Sequence, residues 1–513
     1  MRWRDINVSV VAIVGSVSVG TLLYLQWRKK KEDKLSPLPP PGPSFAEFLS
    51  GCTKAENQKA TRDKYGDCFS IPSPLPGIVP TQIWINDPAV VKYLTVTCAN
   101  MYRPPSTFTT RNAAFQKATQ SIVGVGVTGL VGEEWRWRKM ALIKSFQKSS
   151  MMASQRGLVE KVVEEGKRLC ETLGKAADNG ETVAVDLLTT RAAVGVVLYF
   201  LFGRDLKFDA ENLREAAGTL MECLGYSLFT PTFAIAKYFP GTQSYQMEQR
   251  KKQAWRDIDG VVKNEIQRLL DEYNGLQPIH PDRKPGSVMA TLIGTEPRFR
   301  QGGVASMIAE ARVFVQAGFE TTAHSLAFSM GMMAERQDLA HQMAIMGKEL
   351  LGNDFYNPVE VKQAMEKADF VKNFFLEAIR LYPLAPALGG ECTENIVVTA
   401  SNGATYGFPK GCGFFFPNLL LQRSLQLEQP DDIVPSRWGV PTKDAEPFLH
   451  TFQNGPHACP GKPLSLLEGQ IFLLLVATQF EFSFPQGTTK VEFEDNLLLR
   501  PKDGMPLKVT RRH

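Results

Sequence analysis

The chain lacks the closely spaced cysteines and histidines that mark zinc proteins and disulfide-stabilised proteins. Its eight cysteines are widely scattered without a CxxC pair, and its six histidines form no short-spaced cluster. Structural zinc needs ligands at short spacings, and a disulfide framework needs a pattern of paired cysteines. Both classes are therefore excluded, and the scattered thiols fit a reducing compartment.

A strong excess of charge of one sign is also lacking. The formal net charge is only +5 in 513 residues, so the composition gives no support for nucleic-acid binding. The sequence contains no internal repeat and no low-complexity block. Its length provides enough interior for one large catalytic domain with a cofactor.

The N-terminal residues 1–27 are predicted to form a membrane anchor. Residues 6–27 carry no charged side chain, and as a helix they would be about 33 Å long, enough to cross a ~30 Å hydrocarbon core. Basic residues are denser after this run than before it, which predicts that the rest of the chain is cytosolic. A cleaved secretory signal is the alternative, but no A-x-A-like cleavage site follows the run.

A basic and proline-rich hinge is predicted at residues 28–43, followed by one catalytic domain at residues 44–513. The prolines of SPLPPPGP predict a stiff extended connector, and an ordinary linker without a positioning role is the alternative. The body has a mainly helical pattern, with strand-like stretches at residues 81–86 and 396–416. Residues 277–303, rich in proline, glycine and charge, are predicted to be a surface connection between long helices.

Residues 452–468, FQNGPHACPGKPLSLLE, contain the most informative cysteine. A turn-rich loop brings Cys459 to the start of a helical pattern that begins at Lys462. Free N–H groups at a helix N-terminus stabilise a thiolate and lower the pKa of the thiol, and Gly461 lets the backbone approach the sulphur. The loop therefore predicts a metal-binding thiolate, and an inert buried cysteine is the alternative.

Two helical segments carry further candidate groups. Residues 317–322, AGFETT, lie inside a long helical pattern, where glycine and threonine hydroxyls favour local opening of the backbone ladder beside Glu320 and Thr321. Such an acid and alcohol can shuttle protons, and close helix packing at the glycine is the alternative. In FFLEAIRLYP, Glu377 and Arg380 share one face among apolar residues, which predicts a buried ion pair rather than a surface pair.

Two other motifs need separate interpretations. GVGVTG at residues 124–129 matches a dinucleotide-binding fingerprint by letter, but no strand precedes it and no acidic residue follows at the required distance, so we reject that function. GEEWRWRKMALIKSF is predicted to be a helix with a basic surface able to bind an anionic partner, unless it is simply a solvated helix face. The basic residues considered for this surface are Arg136, Arg138, Lys139, Lys144 and Lys148.

The order and spacing of these segments resemble the cytochromes P450, the haem-thiolate monooxygenases, over residues 39–512. Residues 435–438 match the family's P-x-R-[FW], residues 317–321 its [AG]GxxT, and residues 377–380 its ExxR. The cysteine loop matches FxxGxRxCxG, with histidine in the arginine position, through Phe452, Gly455, His457, Cys459 and Gly461. Four motifs in the correct order make the resemblance specific.

The resemblance implies a mainly α-helical triangular fold with a small β-rich region and a haem b cofactor. It implies that Cys459 is the axial ligand of the haem iron and that its thiolate favours O–O bond cleavage. It further implies catalytic roles for Thr321 and Glu320, and a structural network of Glu377, Arg380 and Arg437. The substrate pocket is expected to be apolar and to include Phe314, Ala317, Gly318, Leu384, Ala387 and Leu388.

Three departures from the family concern the haem propionates. His457 replaces an arginine, Lys139 replaces the arginine of WxxxR after Trp135, and Gly390 stands where an arginine is expected after LYP. Lysine offers a point charge rather than a fork, and histidine need not be charged at neutral pH. The sequence therefore predicts weaker or more pH-dependent haem retention, with His457 as the group that controls it.

The predicted function is a membrane-bound monooxygenase that acts on a lipophilic sterol, fatty acid, terpenoid or carotenoid. Only 54 residues follow Cys459, too few for a flavin domain, so electrons are expected from NADPH-cytochrome P450 reductase, an acidic flavoprotein. The expected location is the endoplasmic reticulum membrane rather than a plastid membrane. A reductase-independent isomerase or dehydratase acting on a peroxide, and a non-catalytic haem-binding protein, are the alternatives.

Overall fold

The computed structural model describes residues 37–44, 47, 54–73, 80–103, 106–107, 109–230, 233–352, 354–424, 427–439 and 449–512. The predicted anchor at residues 1–27 and the basic part of the hinge lie outside this set. The proline-rich end of the hinge runs along the body as extended chain, because Gly42 N–H donates to Ser70 O at 2.7 Å and Ser70 N–H donates to Pro40 O at 2.8 Å.

Helices make up most of the described chain. In chain order they are α1 (Gln58–Tyr65), α2 (Pro88–Lys92), α3 (Ala113–Val123), α4 (Gly132–Ile143), α5 (Lys148–Met151), α6 (Leu158–Asn179), α7 (Val185–Phe202), α8 (Ala210–Phe229), α9 (Phe233–Ala236), α10 (Gln243–Tyr273), α11 (Val288–Thr295), α12 (Pro297–Gln301), α13 (Gly303–Glu335), α14 (Gln337–Leu351), α15 (Pro358–Lys367), α16 (Asp369–Leu381), α17 (Asn418–Leu421) and α18 (Lys462–Gln479). A π-helical turn, Tyr93–Cys98, follows α2.

The strands form one larger sheet and several small ones. They are β1 (Cys68–Ile71), β2 (Gln82–Ile85), β3 (Tyr102–Arg103), β4 (Ser106–Thr107), β5 (Thr109–Thr110), β6 (Thr182–Ala184), β7 (Ala387–Cys392), β8 (Ile396–Thr399), β9 (Thr405–Phe408), β10 (Gly413–Pro417), β11 (Phe480–Ser483), β12 (Phe493–Asn496), β13 (Leu498–Pro501) and β14 (Pro506–Arg511). The larger sheet has the order β1-β2-β10-β7-β5, with only β10 and β2 parallel among its pairs.

Helix α13 is the central element of the helical layer. It packs against α7, α10, α16 and α18, and two thirds of its residues are buried. Helix α7 is the one described helix long and apolar enough to cross a membrane, and it is largely buried against its neighbours. A helix that is apolar on all sides is expected in the core of a large domain.

The mainly helical prediction is confirmed, and the local predictions differ in detail. Strands β2 and β8–β10 lie within the two predicted strand regions, whereas the C-terminal strands β11–β14 were not predicted. The stretch at 277–303 is not only surface connection, because it contains α11 and α12. Val288, Met289 and Phe299 of these helices are fully buried, so their apolar side chains outweigh the local glycine and proline signals.

Candidate functional site

The cysteine loop places one thiol at the start of α18. Cys459 N–H donates to Phe452 O at 2.7 Å, which closes the loop, and α18 begins at Lys462 as predicted. Cys459 is the only exposed one among the seven cysteines that the structure describes. The inert, buried alternative therefore does not fit its position.

The sulphur of Cys459 lies among hydrogen-bond donors although protein surrounds it. Burial raises the pKa of the Cys459 thiol, while the backbone N–H groups of Gly461 and Lys462 and the charge of Lys139 oppose that rise. The expected lowering of this pKa is therefore wrong for the chain without a bound metal, because burial outweighs the helix N-terminus. A Cβ on Gly461 would lie 3.6 Å from the sulphur, in ordinary contact.

Gly455 fixes the start of the loop against the π-helical turn. Its φ of 68° lies in the left-handed region, and a Cβ there would approach Thr95 O to 2.2 Å. Glycine is required on both grounds, since other residues are strained at this φ and the space is occupied by backbone. Phe452, at the other end of the turn, is half-buried, with Lys462 Nζ 5.9 Å from its ring centroid.

Trp135, Lys139 and His457, all predicted to hold the cofactor, form one cluster. The Trp135 and His457 ring centroids are 4.3 Å apart. The Lys139 ammonium donates to Ala458 O at 2.7 Å and also to Pro456 O, so its charge is held on the cysteine loop. Burial and the nearby Arg111 lower the pKa of Lys139 to about 8.

Arg111 is a fourth member of this cluster that sequence reasoning missed. Its guanidinium lies 5.8 Å from the Trp135 ring centroid and donates to Val127 O at 2.9 Å and Leu130 O at 2.8 Å. It lines a small cavity together with His457, Gly389 and Gly390. No family motif identified it, and the only sequence signal is a lone arginine between a strand and a helix.

The cluster fits the carboxylates of a haem. Trp135 Nε1 and His457 Nδ1 are buried and have no hydrogen-bond partner among the residues that the structure describes, which suits acceptors supplied by a bound group. Burial, Arg111 and Lys139 lower the pKa of His457 to about 3, so the imidazole is neutral at neutral pH. The predicted charge change of His457 near neutral pH is therefore not supported.

Gly390 lies in β7, where no side chain fits. A Cβ there would approach Thr110 O to 2.6 Å and the Phe414 ring to 2.7 Å. An arginine at this position would disrupt the pairing of β7 with β10. The cation near this part of the site is Arg111, which comes from a different element.

Helix α13 exposes three residues in the middle of a buried stretch. Between residues 313 and 333, all of which the structure describes, only Ala317, Gly318 and Thr321 are not buried. An exposed patch on a central core helix indicates that it borders open space within the body. The three residues have small side chains, and the patch is apolar apart from the Thr321 hydroxyl.

The helical ladder does not open at this patch. Helix α13 is continuous through it, and the Thr321 hydroxyl donates to Ala317 O at 2.7 Å. A Cβ on Gly318 would approach Val197 Cγ2 to 2.4 Å. Gly318 thus permits close packing of α13 on α7, which is the alternative interpretation of the glycine and corrects the expected opening.

The Glu320 side chain is buried and forms an ion pair, so it is not solvated. Its Oε1 accepts from Arg500 Nη2 at 2.8 Å and lies 3.7 Å from His324 Nε2, while Oε2 has no partner in the described protein. Because Thr321 is the next residue, the acid and the alcohol lie on adjacent faces of α13. Neither Arg500 nor His324 was identified from the sequence.

Glu377, Arg380 and Arg437 come together below the cysteine loop. Glu377 and Arg380 are completely buried and form two parallel hydrogen bonds of 2.8 Å. Arg437 Nε lies 3.0 Å from Glu377 Oε1, and Trp438 Nε1 donates to the same oxygen at 2.8 Å. Arg380 also donates to three backbone carbonyls, those of Gln422, Pro430 and Asp432.

The expected pocket residues lie in different surroundings. Phe314 stacks on Phe146 and is buried in the core, and Leu384 is also buried. Ala387 and Leu388 are half-buried at the start of β7, and Ala387 lines a cavity of about 1020 Å³. That cavity is not apolar as expected, since its other lining residues include Arg214, Glu320, His324 and Arg500.

The basic surface of α4 is smaller than predicted. Arg138 is buried and pairs with Glu310 at 2.8 Å and Glu134 at 2.9 Å, and Lys139 is held on the cysteine loop. These two side chains are therefore unavailable to a partner. Arg136, Lys144 and Lys148 remain exposed.

The glycines of GVGVTG form a packed loop rather than a phosphate site. Helix α3 precedes them where a dinucleotide fingerprint needs a strand. A Cβ on Gly126 would approach Val313 Cγ2 to 2.8 Å, so this glycine serves contact with α13. The rejection of a dinucleotide site agrees with this packing.

Comparison with known proteins shows the family. The family model described as Cytochrome P450 matches residues 37–509. The chain is 23% identical over 492 residues to Cytochrome P450 3A6 of Oryctolagus cuniculus, covering 92% of this chain and 91% of the relative. It is 24% identical over 513 residues to Cytochrome P450 3A16 of Mus musculus, covering 96% and 94%. Cytochrome P450 6a9 of Drosophila melanogaster is 23% identical over 406 residues, covering 74% and 76%.

Members of this family bind haem as their cofactor and incorporate oxygen from O₂ into their substrates. The thiol at the start of α18, the exposed patch of α13 and the unpartnered donors of Trp135 and His457 fit such a group. The match extends over nearly all of the chain that the structure describes. The chain belongs to the cytochrome P450 family and is a haem-dependent monooxygenase.

Proposed function

We propose that the protein is a membrane-bound haem-thiolate monooxygenase that oxidises a lipophilic substrate with electrons from NADPH-cytochrome P450 reductase. The observation that carries this proposal is the environment of Cys459, an exposed thiol in a protein-lined site with the N–H groups of Gly461 and Lys462 directed at it. Those donors stabilise negative charge on sulphur once a cation is bound. Cys459 would hold the haem iron through its thiolate.

Haem, when bound, supplies the activation of O₂ and the transfer of one oxygen atom to the substrate. The exposed patch of α13 would border the bound haem and substrate. The Thr321 hydroxyl donates its hydrogen bond to Ala317 O, and it can donate the same hydrogen to a group in the pocket instead. Glu320, one residue before it, is the nearest acid on the helix and would supply protons to it.

The propionates of the haem would be held by Arg111, Trp135 and His457. Trp135 Nε1 and His457 Nδ1 have no acceptor in the described part of the chain, and Arg111 adds a positive charge beside them. Lys139 would act indirectly, by fixing the carbonyls of the cysteine loop. Arg111 thereby replaces part of the charge that the family supplies through the arginines missing here.

The substrate is proposed to be lipophilic with a polar group. Ala317 is exposed on α13, and Ala387 lines the same cavity as Glu320 of that helix, so apolar side chains are available to a sterol, fatty acid, terpenoid or carotenoid. The cavity that Ala387 lines also carries Arg214 and Arg500, which favours a hydroxyl or carboxyl group at one end of that molecule. A shift of the haem Soret band on adding such compounds would identify binders.

The reductase is proposed to dock on the exposed part of α4. Positive charge comes from Arg136 on α4 and from Lys144 and Lys148, which follow the helix. The apolar residues Met140 and Ile143 of α4 are 59% and 37% exposed. Electrostatic steering predicts that Arg136→Glu with Lys144→Glu slows reduction by the reductase and weakens its salt dependence. Lys263→Glu, an exposed lysine on α10, is the matched control. Equal rates in all three proteins would reject this docking surface.

The proposed location is the endoplasmic reticulum membrane with the catalytic domain in the cytosol. The charge-free run at residues 6–27 supports an anchor. A second membrane contact is supported by Ile235 in α9 and by Tyr238 and Phe239 just after it, which are 69%, 72% and 57% exposed. Alkaline extraction of microsomes should retain the full chain and release a chain that lacks residues 1–27.

The reduced carbon monoxide difference spectrum tests the proposed thiolate. The native protein should show the red-shifted Soret band of a thiolate ligand, and Cys459→Ala should lose it. Cys223→Ala, which removes a buried thiol elsewhere, should keep it. Persistence of the band in Cys459→Ala would overturn the assignment. Product formation that requires NADPH and reductase would then exclude the reductase-independent isomerase.

A further inference from the structure

A chain of charged side chains leads away from Glu320 through His324, one turn later on α13. Asp186 Oδ1 lies 2.5 Å from His324 Nδ1, and Asp186 Oδ2 accepts from Arg214 Nη2 at 2.8 Å. His324 Nε2 lies 3.7 Å from Glu320 Oε1, one turn earlier on α13. Three separate elements, α7, α8 and α13, are joined by these contacts.

The chain is buried where it approaches the acid and open at its other end. Asp186, Glu320 and His324 are almost completely inaccessible, whereas Arg214 is 42% exposed. Glu320 and His324 nevertheless line the cavity of about 1020 Å³, which also contains the exposed side chains of Glu211 and Glu222. The cavity is large enough and polar enough to hold water that connects the two residues to solvent.

Two cationic side chains, those of Arg500 and His324, lie beside the Glu320 carboxylate, and they differ in their ability to release a proton. Arg500 Nη2 donates to Oε1 at 2.8 Å, but a guanidinium does not release its proton in proteins. An imidazolium does release its proton, and histidine is the side chain suited to exchange it near neutral pH. Of the two, only His324 can therefore transfer a proton to Glu320.

We propose that His324, oriented by Asp186, is a positioning residue that reprotonates Glu320 with protons taken from the adjoining cavity. The 3.7 Å gap is longer than a hydrogen bond, so the step runs through one water of the cavity. The Nε2–H bond of His324 breaks as this water takes the proton, and an O–H bond of the water breaks as one forms on Glu320 Oε1. Neutral imidazole and a neutral carboxylic acid result. Glu320 passes this proton towards Thr321, and water in the cavity returns a proton to His324. The inference rests on the proposed function, because the protons are consumed only during oxygen reduction.

The electrostatics around His324 support its charged form. Burial opposes the positive charge, but the Asp186 carboxylate and Glu320 outweigh this and raise the pKa of His324 to about 9. The charged groups that face the pair from packed elements are Arg214 on α8 and Arg500 on β13. The imidazolium is thus available at neutral pH and is lost as the pH rises through about 9.

The first measurement is independent of turnover. Long-range ¹H–¹⁵N spectra of the ¹⁵N-histidine-labelled, full-length ferrous carbon monoxide complex would resolve His324 among six histidines, assigned by its loss in His324→Gln. The pKa of His324 should lie near 9 in the native protein and fall in Asp186→Asn and in Glu320→Gln. A pKa that does not respond to Glu320→Gln would overturn the proposal.

The second measurement is NADPH-driven oxygen consumption with reductase, without added substrate. The native rate should fall as the pH rises through about 9. His324→Gln, which keeps a donor for Asp186 but cannot titrate, should be about tenfold slower at neutral pH and lack this decline. His341→Gln, an exposed histidine on α14, should behave as native. If His324→Gln matches His341→Gln, His324 is only structural and the proposal fails. No consumption by native protein would instead reject the reductase-dependent function.

Discussion

The Lys139 ammonium donates a hydrogen bond to the carbonyl oxygen of Ala458 at 2.7 Å, and so joins α4 directly to the residue before Cys459. A lysine in place of the family's arginine would be a weaker partner for a propionate. Here it has a different contact, because a single ammonium can reach two carbonyls of the cysteine loop. In the structure, these hydrogen bonds attach the Lys139 side chain to the cysteine loop.

Removing this contact should weaken haem retention. We predict that Lys139→Met releases haem about 10- to 100-fold faster, since a hydrogen bond from a charged donor contributes about 1.5–3 kcal/mol. Transfer of haem to apomyoglobin measures the rate. Lys144→Met, an exposed lysine on the turn that follows α4, should leave it unchanged. Equal rates for the two variants would contradict the holding role.

The buried ion pair of α16 should be sensitive to loss of its charge. We predict that Glu377→Gln lowers the free energy of unfolding by about 3–5 kcal/mol, because Arg380 would remain charged and fully buried. Glu366→Gln, an exposed acid on α15, is the matched control. Denaturant unfolding of the haem protein gives both values. A loss below about 1 kcal/mol for Glu377→Gln would show that the pair is not the main support of this region.

Gly455 should tolerate no side chain. Gly455→Ala places a methyl group 2.2 Å from Thr95 O, and we predict that most of the expressed protein fails to incorporate haem. Gly180→Ala is the control that introduces the same backbone strain without a steric clash. Gly180 has the same φ of 68°, and nothing lies within 4 Å of its Cβ position. The haem to protein absorbance ratio should fall only in Gly455→Ala. Equal losses would assign the effect to backbone strain alone.

Glu468 should give the fold a dependence on pH. Both of its carboxyl oxygens are buried without a partner in the described protein, and burial raises the pKa of Glu468 well above its ordinary value. The folded state therefore binds this proton more tightly than the unfolded state. The contribution of the protonated Glu468 to the free energy of unfolding is fully present below the ordinary carboxyl pKa of about 4.3. It is lost as the pH rises towards the higher pKa of the folded state.

We accordingly predict that Glu468→Met is more stable than the native protein at pH 8 by about 1–3 kcal/mol, the usual cost of an unsatisfied buried polar group. The difference should shrink as the pH falls towards about 4.3. Thermal unfolding across this range measures it. Glu481→Met, on β11 and exposed, should show no such trend. A native stability that does not change with pH would contradict the prediction.

Local spacing was enough to predict several parts of the site. The start of α18 at Lys462 follows from turn residues before an apolar helical pattern, and Glu377 and Arg380 meet because residues three apart share a helix face. The same rule could not decide which residues of a basic helix remain exposed. Arg138 was expected on the surface, but Glu310 of α13 draws it into the interior.

The sequence by itself determined the mainly helical body, the order of its motifs and the cysteine loop, because these depend on residues close together in the chain. Only the tertiary structure placed Arg111 beside His457, Asp186 beside His324, and Arg500 beside Glu320. Those contacts join elements up to 180 residues apart. Burial at these contacts sets the charge of each group, and the packing of distant helices and strands produces that burial.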